Sequence, residues 1–279
     1  RGLAPLQTIR RQAEAITARR LDERLALEAV PEELAELAET LNAMLSRLEE
    51  SFTRLSDFSS DLAHEFRTPV SNLLTQTQVT LGRARSPDEY RDVLASNVEE
   101  FERLSRMIGD MLFIAKADDG QIIPEPQHMA LERVAAELLE FYQVLAEEQG
   151  IELSAAGNAR INGDPLMIRR AMSNLLSNAI RHTPPGGHVS VAISTRASEC
   201  VEIAVINSGV TIPDEHLSRL FDRFYRADPA RHGDGAHSGL GLAIVKSIIE
   251  AHGGTVKVIS AAGLTSFVLS IPLAGQEHA

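Results

Sequence analysis

Residues 58–69 read FSSDLAHEFRTP, and the periodicity of that stretch decides the fold of the first half of the chain. At about 100° per residue on a helix, Leu55 and Leu73 fall opposite His64. Phe58, Leu62, Phe66 and Val70 lie within about 60° of that opposite line. Asp57, Ser60, Asp61, Thr68 and Ser71 share the histidine's own side. The stretch is therefore an amphipathic helix with His64 on its wet face. Pro69 removes a backbone donor just below the histidine and is expected to kink the helix there.

Upstream, Leu34, Leu37, Leu41, Met44, Leu45 and Leu48 recur at three- and four-residue steps, and no break precedes Ser51. The pattern over 32–50 runs on into the His64 helix, a length that suits a coiled coil. A further helical pattern covers 5–20. Downstream, the helix fades near LGRARSPDEY, where Ser86 is placed to cap a second helix with Pro87 in its first turn. That helix extends to about Lys116 and carries Val93, Val98, Phe101, Leu104, Ile108, Met111 and Leu112. Two long helices joined by a short loop form a hairpin whose single apolar stripes are covered by pairing into a dimeric four-helix bundle.

KADDGQIIPEPQ, residues 116–127, is a polar linker and a domain boundary. Beyond it the period changes. Helices are expected over 132–149, 165–183 and 239–252, and strands at HVSVAISTR, VEIAVIN, GTVKVIS and TSFVLSIPL. This is an α+β domain of about 150 residues.

Composition narrows the classes. The chain has 279 residues, of which 44% are hydrophobic and 24% charged, with net charge −12. That balance argues against nucleic acid as a partner. The single cysteine, Cys200, excludes a disulfide framework and a cysteine-rich zinc site. Aromatics at 4% with no Trp disfavour a base-stacking surface. No run of about 18 apolar residues is present to span a membrane, and no signal peptide is visible. The opening RGLAPLQTIRR, without an initiator methionine, reads as part of something longer.

Three stretches of the second domain carry chemistry. In NLLSNAIRHTP, Asn174 and Asn178 share one helix face, with Arg181 and His182 within a turn. Two amide oxygens on one face suit Mg²⁺, or are simply solvated. In VINSGVTIP a strand ends at Asn207-Ser208-Gly209, which suits a purine edge or a plain turn. In LFDRFYRADPARHGDGAHSGLGLAIVK, Gly233, Gly235, Gly239 and Gly241 lie in a long loop leading into a helix start. Arg223, Arg226 and Arg231 add positive charge. Such a loop is either a polyphosphate lid or a mobile solvent loop.

The order of these stretches, with AHEFRTP upstream, resembles a sensor histidine kinase of a two-component system. The resemblance implies most of a HAMP signal-relay module over 1–50, with Pro5 and PEELAELAETLNAM. It implies a dimerisation and histidine phosphotransfer domain over 51–118, a linker over 119–127, and a Bergerat-type catalytic ATP-binding domain over 128–275. It implies a protein histidine kinase dependent on ATP and Mg²⁺, acting as a homodimer on a response regulator and also as its phosphatase. Its place would be the cytoplasmic region of an inner-membrane protein, anchored by segments outside this chain.

Carried over by residue, His64 is the phosphoacceptor, Glu65 the neighbouring acid, and Thr68 the residue that positions water in the phosphatase reaction. Asn178 coordinates Mg²⁺ with Asn174 in support, and Arg181 and His182 approach the phosphates and nucleotide. Asn207 and Gly209 belong to the adenine pocket, Gly239, Leu240 and Gly241 to the phosphate turn, and Phe221 and Phe224 to the lid's anchor. Ile212, Arg226, Ser238 and Leu242 also border the nucleotide. The usual turn D-x-G-x-G reads N-S-G-V-T here, with Asn207 for the acid and Thr211 for the second glycine. Asn keeps a carbonyl acceptor without charge, so nucleotide binding is expected to survive and be weaker. The N-x-G form resembles the branch that senses copper, silver and other heavy metals.

Overall fold

A computed structural model describes residues 22–24, 32–196, 199–227 and 239–273. The expected helix over 5–20, along with Ser238, Arg231, Gly233 and Gly235, lies outside them. The chain divides into two compact units between Val93 and Leu94.

The first unit is dominated by α1 (Glu32–Leu81), a continuous helix of 50 residues. It passes through Pro69 without ending, although Pro69 has no N–H to offer the Glu65 carbonyl one turn back. Leu73 is buried, as its position opposite His64 requires, whereas Val70, at the margin of the same stripe, is half exposed. A five-residue connection leads to α2 (Pro87–Asp118). Ser86 and Glu89 close a reciprocal capping box: the Glu89 carboxylate accepts from the Ser86 N–H at 2.8 Å, and the Ser86 hydroxyl accepts from the Glu89 N–H at 3.2 Å.

The apolar residues of α2 divide into two faces. Met107, Met111 and Ile114 are buried, at steps of four and three. Leu94, Val98, Phe101, Ile108 and Leu112 stay exposed at heptad-like spacing. The single stripe expected from the sequence is thus two, one covered within the chain and one not.

The second unit contains most of α2 and an α+β domain. Its five-stranded sheet has the order β2 (Glu152–Ala156), β4 (His188–Arg196), β5 (Cys200–Ser208), β7 (Leu264–Pro272), β6 (Thr255–Ala261). Only the β2–β4 pairing is parallel. A separate ribbon pairs β1 (Gln127–Ala130) with β3 (Arg160–Gly163). The strands β1, β2 and β3, of four or five residues each, were not expected from the sequence: none is long enough to show an alternating pattern.

One face of the sheet is covered by α3 (Leu131–Glu148), α4 (Pro165–His182) and α6 (Gly241–Ala251), and a one-turn helix, α5 (Asp214–Leu217), follows β5. The alternation of β5 and β7 presents Val201, Ile203 and Val205, and Phe267, Leu269 and Ile271, to that core. Each inward row ends in a polar residue. Asn207 and Thr265 are buried cross-strand partners at the same end of the sheet. In α4, Ile168, Ala171, Met172, Leu175, Leu176, Ala179 and Ile180 are all nearly inaccessible. Each large aliphatic side chain so buried stabilises the fold by about 1.5–3 kcal/mol. That stripe holds the opposite face of the helix, with Asn174 and Asn178, in a set orientation.

Asp164 starts α4. Its carboxylate accepts from the N–H groups of Leu166 (3.0 Å), Met167 (3.1 Å) and Glu125 (3.1 Å). The Asp164 N–H donates to His252 Nε2 at 3.0 Å, while His252 Nδ1 donates to the Ile248 carbonyl at 2.7 Å. Those two bonds together select the Nδ1–H tautomer. Burial raises the Asp164 pKa, but the three backbone donors outweigh it and hold the carboxyl below its ordinary value near 3.8. A depressed carboxyl contributes stability that is full above the ordinary value and is lost as pH falls through the folded one. Replacing Asp164 with Asn should therefore destabilise the domain above pH about 5, by about 1 kcal/mol, the difference between charge-assisted and neutral hydrogen bonds. The gap to wild type should close below pH about 4, as the wild-type carboxyl protonates. Denaturant melts across that range measure it; a gap independent of pH would contradict the charged cap.

Candidate active site

The residues singled out in the second domain come from four separate places in the sequence, and the fold brings them to one end of the sheet. The amide of Asn174 donates from Nδ2 to the Gly241 carbonyl at 3.3 Å, joining α4 to the first turn of α6. Asn178, one turn further on, is half-buried on the same face. At the end of α4, the His182 carbonyl would lie 2.8 Å from any Cβ at Gly209, so the turn after β5 abuts the helix too closely for a side chain. Asn207, buried, donates from Nδ2 to the Ser208 carbonyl at 3.2 Å. That leaves Oδ1 as the acceptor of its amide. A neutral amide is also cheaper to bury there than an unpaired carboxylate.

The two ends of the glycine-rich loop meet as well. Phe224 N–H donates to the Gly239 carbonyl at 3.2 Å, and a Cβ on Gly239 would stand 2.8 Å from the Phe224 Cα. Gly239 sits at φ 70° and Phe224 at φ 58°, the latter a strained value for a side-chain-bearing residue. Phe221 packs edge-on against Phe267 of the core, with centroids 6.2 Å apart. Tyr225 is held by His216, whose Nδ1 is 2.6 Å from its hydroxyl, and by Arg219, stacked 4.4 Å over its ring. These contacts anchor the segment on which the loop begins.

Helix α6 starts at Leu240, which has no side-chain group to cap the helix. Gly241 and Leu242 form its first turn, half-buried. An uncapped helix start beside two Asn side chains and a cradle without room for a Cβ fits a polyphosphate with its counter-ion. Arg181 and Arg226 are exposed, and Ile212 is half-buried three residues beyond Gly209. Arg223 pairs instead with Asp118 of α2. Arg170, one turn before Asn174 on α4, binds Asp110 at 2.6 Å and stacks 4.4 Å over Phe113.

In the first unit, His64 and Thr68 are exposed on one side of α1, and Glu65 is half-buried. Adjacent helix positions diverge by about 100°, and no hydrogen bond joins His64 to Glu65.

The chain matches three families in order: the HAMP domain over 1–50, the His Kinase A (phospho-acceptor) domain over 54–120, and the histidine kinase-, DNA gyrase B-, and HSP90-like ATPase over 163–275. It is 49% identical over 273 residues to the sensor histidine kinase CusS of Escherichia coli (strain K12), covering 98% of this chain and 57% of that protein. The chain belongs to the sensor histidine kinases. It spans little more than half the length of the curated relatives it matches.

Solved histidine kinases share the fold. ShkA, full-length in complex with AMPPNP, superimposes with TM-score 0.59 at 25% identity, covering 78% of this chain and 45% of that one. ThkA in complex with the response regulator protein TrrA gives 0.66 at 20% identity, covering 82% and 65%. In this sensor histidine kinase the helical region and the ATPase sheet domain are those expected from the sequence. Among the described residues no helix is long and apolar enough to cross a membrane.

Sequence reading missed three groups that shape the site: Tyr225 with His216 and Arg219, the hydroxyls of Thr211 and Ser260, and Arg170. Tyr225 lay within the quoted FDRFYR stretch. The others reach partners 48 to 60 residues away, and no local pattern announces such contacts.

Proposed function

We propose that this chain is the cytoplasmic kinase region of a membrane-anchored sensor, and that it transfers the γ-phosphoryl group of ATP to His64 and thence to an aspartate of a response regulator. The observation that carries this is that Asn174 binds the Gly241 carbonyl at the uncapped start of α6, with Phe224 clasped on Gly239 just before it and Gly209 abutting the end of the Asn174 helix. Bound MgATP supplies an electrophilic phosphorus with its charge neutralised. His64, solvent-facing on a long helix, presents a ring nitrogen as nucleophile. A new N–P bond forms at His64 Nε2 as the bond to the bridging oxygen breaks and ADP leaves. Once the two side chains turn toward each other, the Glu65 carboxylate accepts from Nδ1–H and holds the proton there, which leaves the Nε2 lone pair free to attack. Asn178 supplies an oxygen to Mg²⁺, steadied by Asn174, while Arg181 and His182 face the phosphates. Gly239, Leu240, Gly241 and Leu242 line the phosphate turn with backbone N–H groups, and Arg226 flanks it. Asn207, Gly209 and Ile212 receive the base; Phe221 fixes the lid. Thr68, one turn beyond His64, positions water for regulator dephosphorylation.

The exposed heptad row on α2, with Leu37, Met44 and Leu48 on α1, calls for a second copy of the chain. The resemblance of the N-S-G turn to the heavy-metal branch supports a heavy-metal stimulus. The proposed domain limits are 1–50, 51–118 and 128–275, with the linker over 119–127. Incubation with Mg²⁺ and γ-labelled ATP tests the whole. Acid-labile, alkali-stable label is expected on the protein; nucleotide binding without any label would leave a scaffold or a phosphatase instead.

A further inference from the structure

The loop from Gly209 to Ile212 leaves β5 and belongs to no helix or strand, yet three of its four residues are bonded to one distant hairpin. Gly209 N–H donates to the Gly263 carbonyl at 2.9 Å, and Gly263 N–H donates back to Thr211 Oγ1 at 3.0 Å. Ile212 N–H donates to Ser260 Oγ at 2.9 Å. Ser260 is buried and shares its hydroxyl with Thr265 at 2.9 Å. Thr265 in turn is the cross-strand partner of Asn207. The hairpin that makes these bonds joins β6 to β7 through Ala262 and Gly263, at φ 51° and 77°. Two consecutive positive φ values are those of a tight hairpin turn, and Ala262 is a poor residue for it. The strained tip is thus tied to the loop at the end of the base pocket.

We infer that Thr211 and Ser260 are positioning residues for nucleotide binding, holding the Gly209–Ile212 loop in its binding geometry before a nucleoside triphosphate arrives. The inference rests on the nucleotide-site reading above. A hydroxyl at position 211 is what closes the reciprocal pair with Gly263, and a glycine there could not. Holding the loop in advance removes an ordering cost from binding. Neither residue needs to touch the nucleotide.

The decisive variant is Thr211→Val, which keeps the shape and removes the hydroxyl; Thr211→Ser restores it. The full 279-residue chain is titrated with AMPPNP and Mg²⁺ by calorimetry, and labelling rates are followed against ATP concentration. Thr211→Val is expected to raise the AMPPNP Kd and the KM for ATP about threefold to tenfold, the value of one neutral hydrogen bond. The rate at saturating ATP should stay at the wild-type level. Thr211→Ser should return Kd to within about twofold of wild type. Thr211 is exposed, so its melting temperature without nucleotide should barely move; a purely structural role would lower it and leave Kd alone. An unchanged Kd in Thr211→Val, or a raised Kd that Ser does not rescue, overturns the inference while the site reading stands. Wild type that binds no AMPPNP overturns both.

Discussion

Replacing His64 with Gln should reduce acid-labile labelling from γ-labelled ATP to background, a loss of at least about a thousandfold. Gln keeps a polar side chain of similar reach but no ring nitrogen, so the N–P bond cannot form. His64 is exposed on α1 and packs into no core, so the substitution should leave melting unchanged. Nucleotide affinity should also stay within about twofold, because the Asn and Gly motifs lie in the other compact unit. Calorimetry with AMPPNP alongside the labelling assay separates the two. Persistent label in the variant would show that another side chain accepts the phosphoryl group.

The second large effect is expected at Asn178. Removing its amide by Asn178→Ala should lower the labelling rate by about a hundredfold to a thousandfold, the cost of losing one preorganised group on developing charge. The Mg²⁺ concentration for half-maximal rate should rise in parallel. Asn178 lies on the half-buried face of α4, opposite the apolar stripe, so the fold should survive. Asn174 is a contrasting case. Its Nδ2 already ties α4 to Gly241, and Asn174→Ala should cost both activity and the seating of α6. A labelling rate in Asn178→Ala within about tenfold of wild type would remove Asn178 from the metal site.

Much of this was legible in the chain because it is local. The helical period that puts His64 opposite Leu55 and Leu73 needs only 3.6 residues per turn, and the Ser86–Glu89 box needs four residues in a row. The strands β4, β5, β6 and β7 alternate clearly because one face of each is buried. The limits of local reading are equally physical. The strands β1, β2 and β3 are too short to show a period, and their pairing depends on neighbours far along the chain. The stripe on α2 looked single because sequence records which residues are apolar and not which of them find a partner.

The proposed nucleotide site shows the same division. Sequence alone determined the chemical types and their order: two amides a turn apart, an Asn-x-Gly turn, an aromatic anchor, and glycines before a helix. Each carried an innocent alternative when taken singly. Only the tertiary structure decided that Asn174 reaches Gly241, that Gly209 meets the end of α4, and that Phe224 closes on Gly239. It alone disclosed that Thr211, a departure from the usual glycine, grips the hairpin at Gly263. Periodicity propagates along a helix or strand at fixed geometry, so a sequence can specify it unaided. A hydrogen bond spanning 67 residues between Asn174 and Gly241 exists only once the apolar faces of α4, α6 and the sheet have packed and brought the two together.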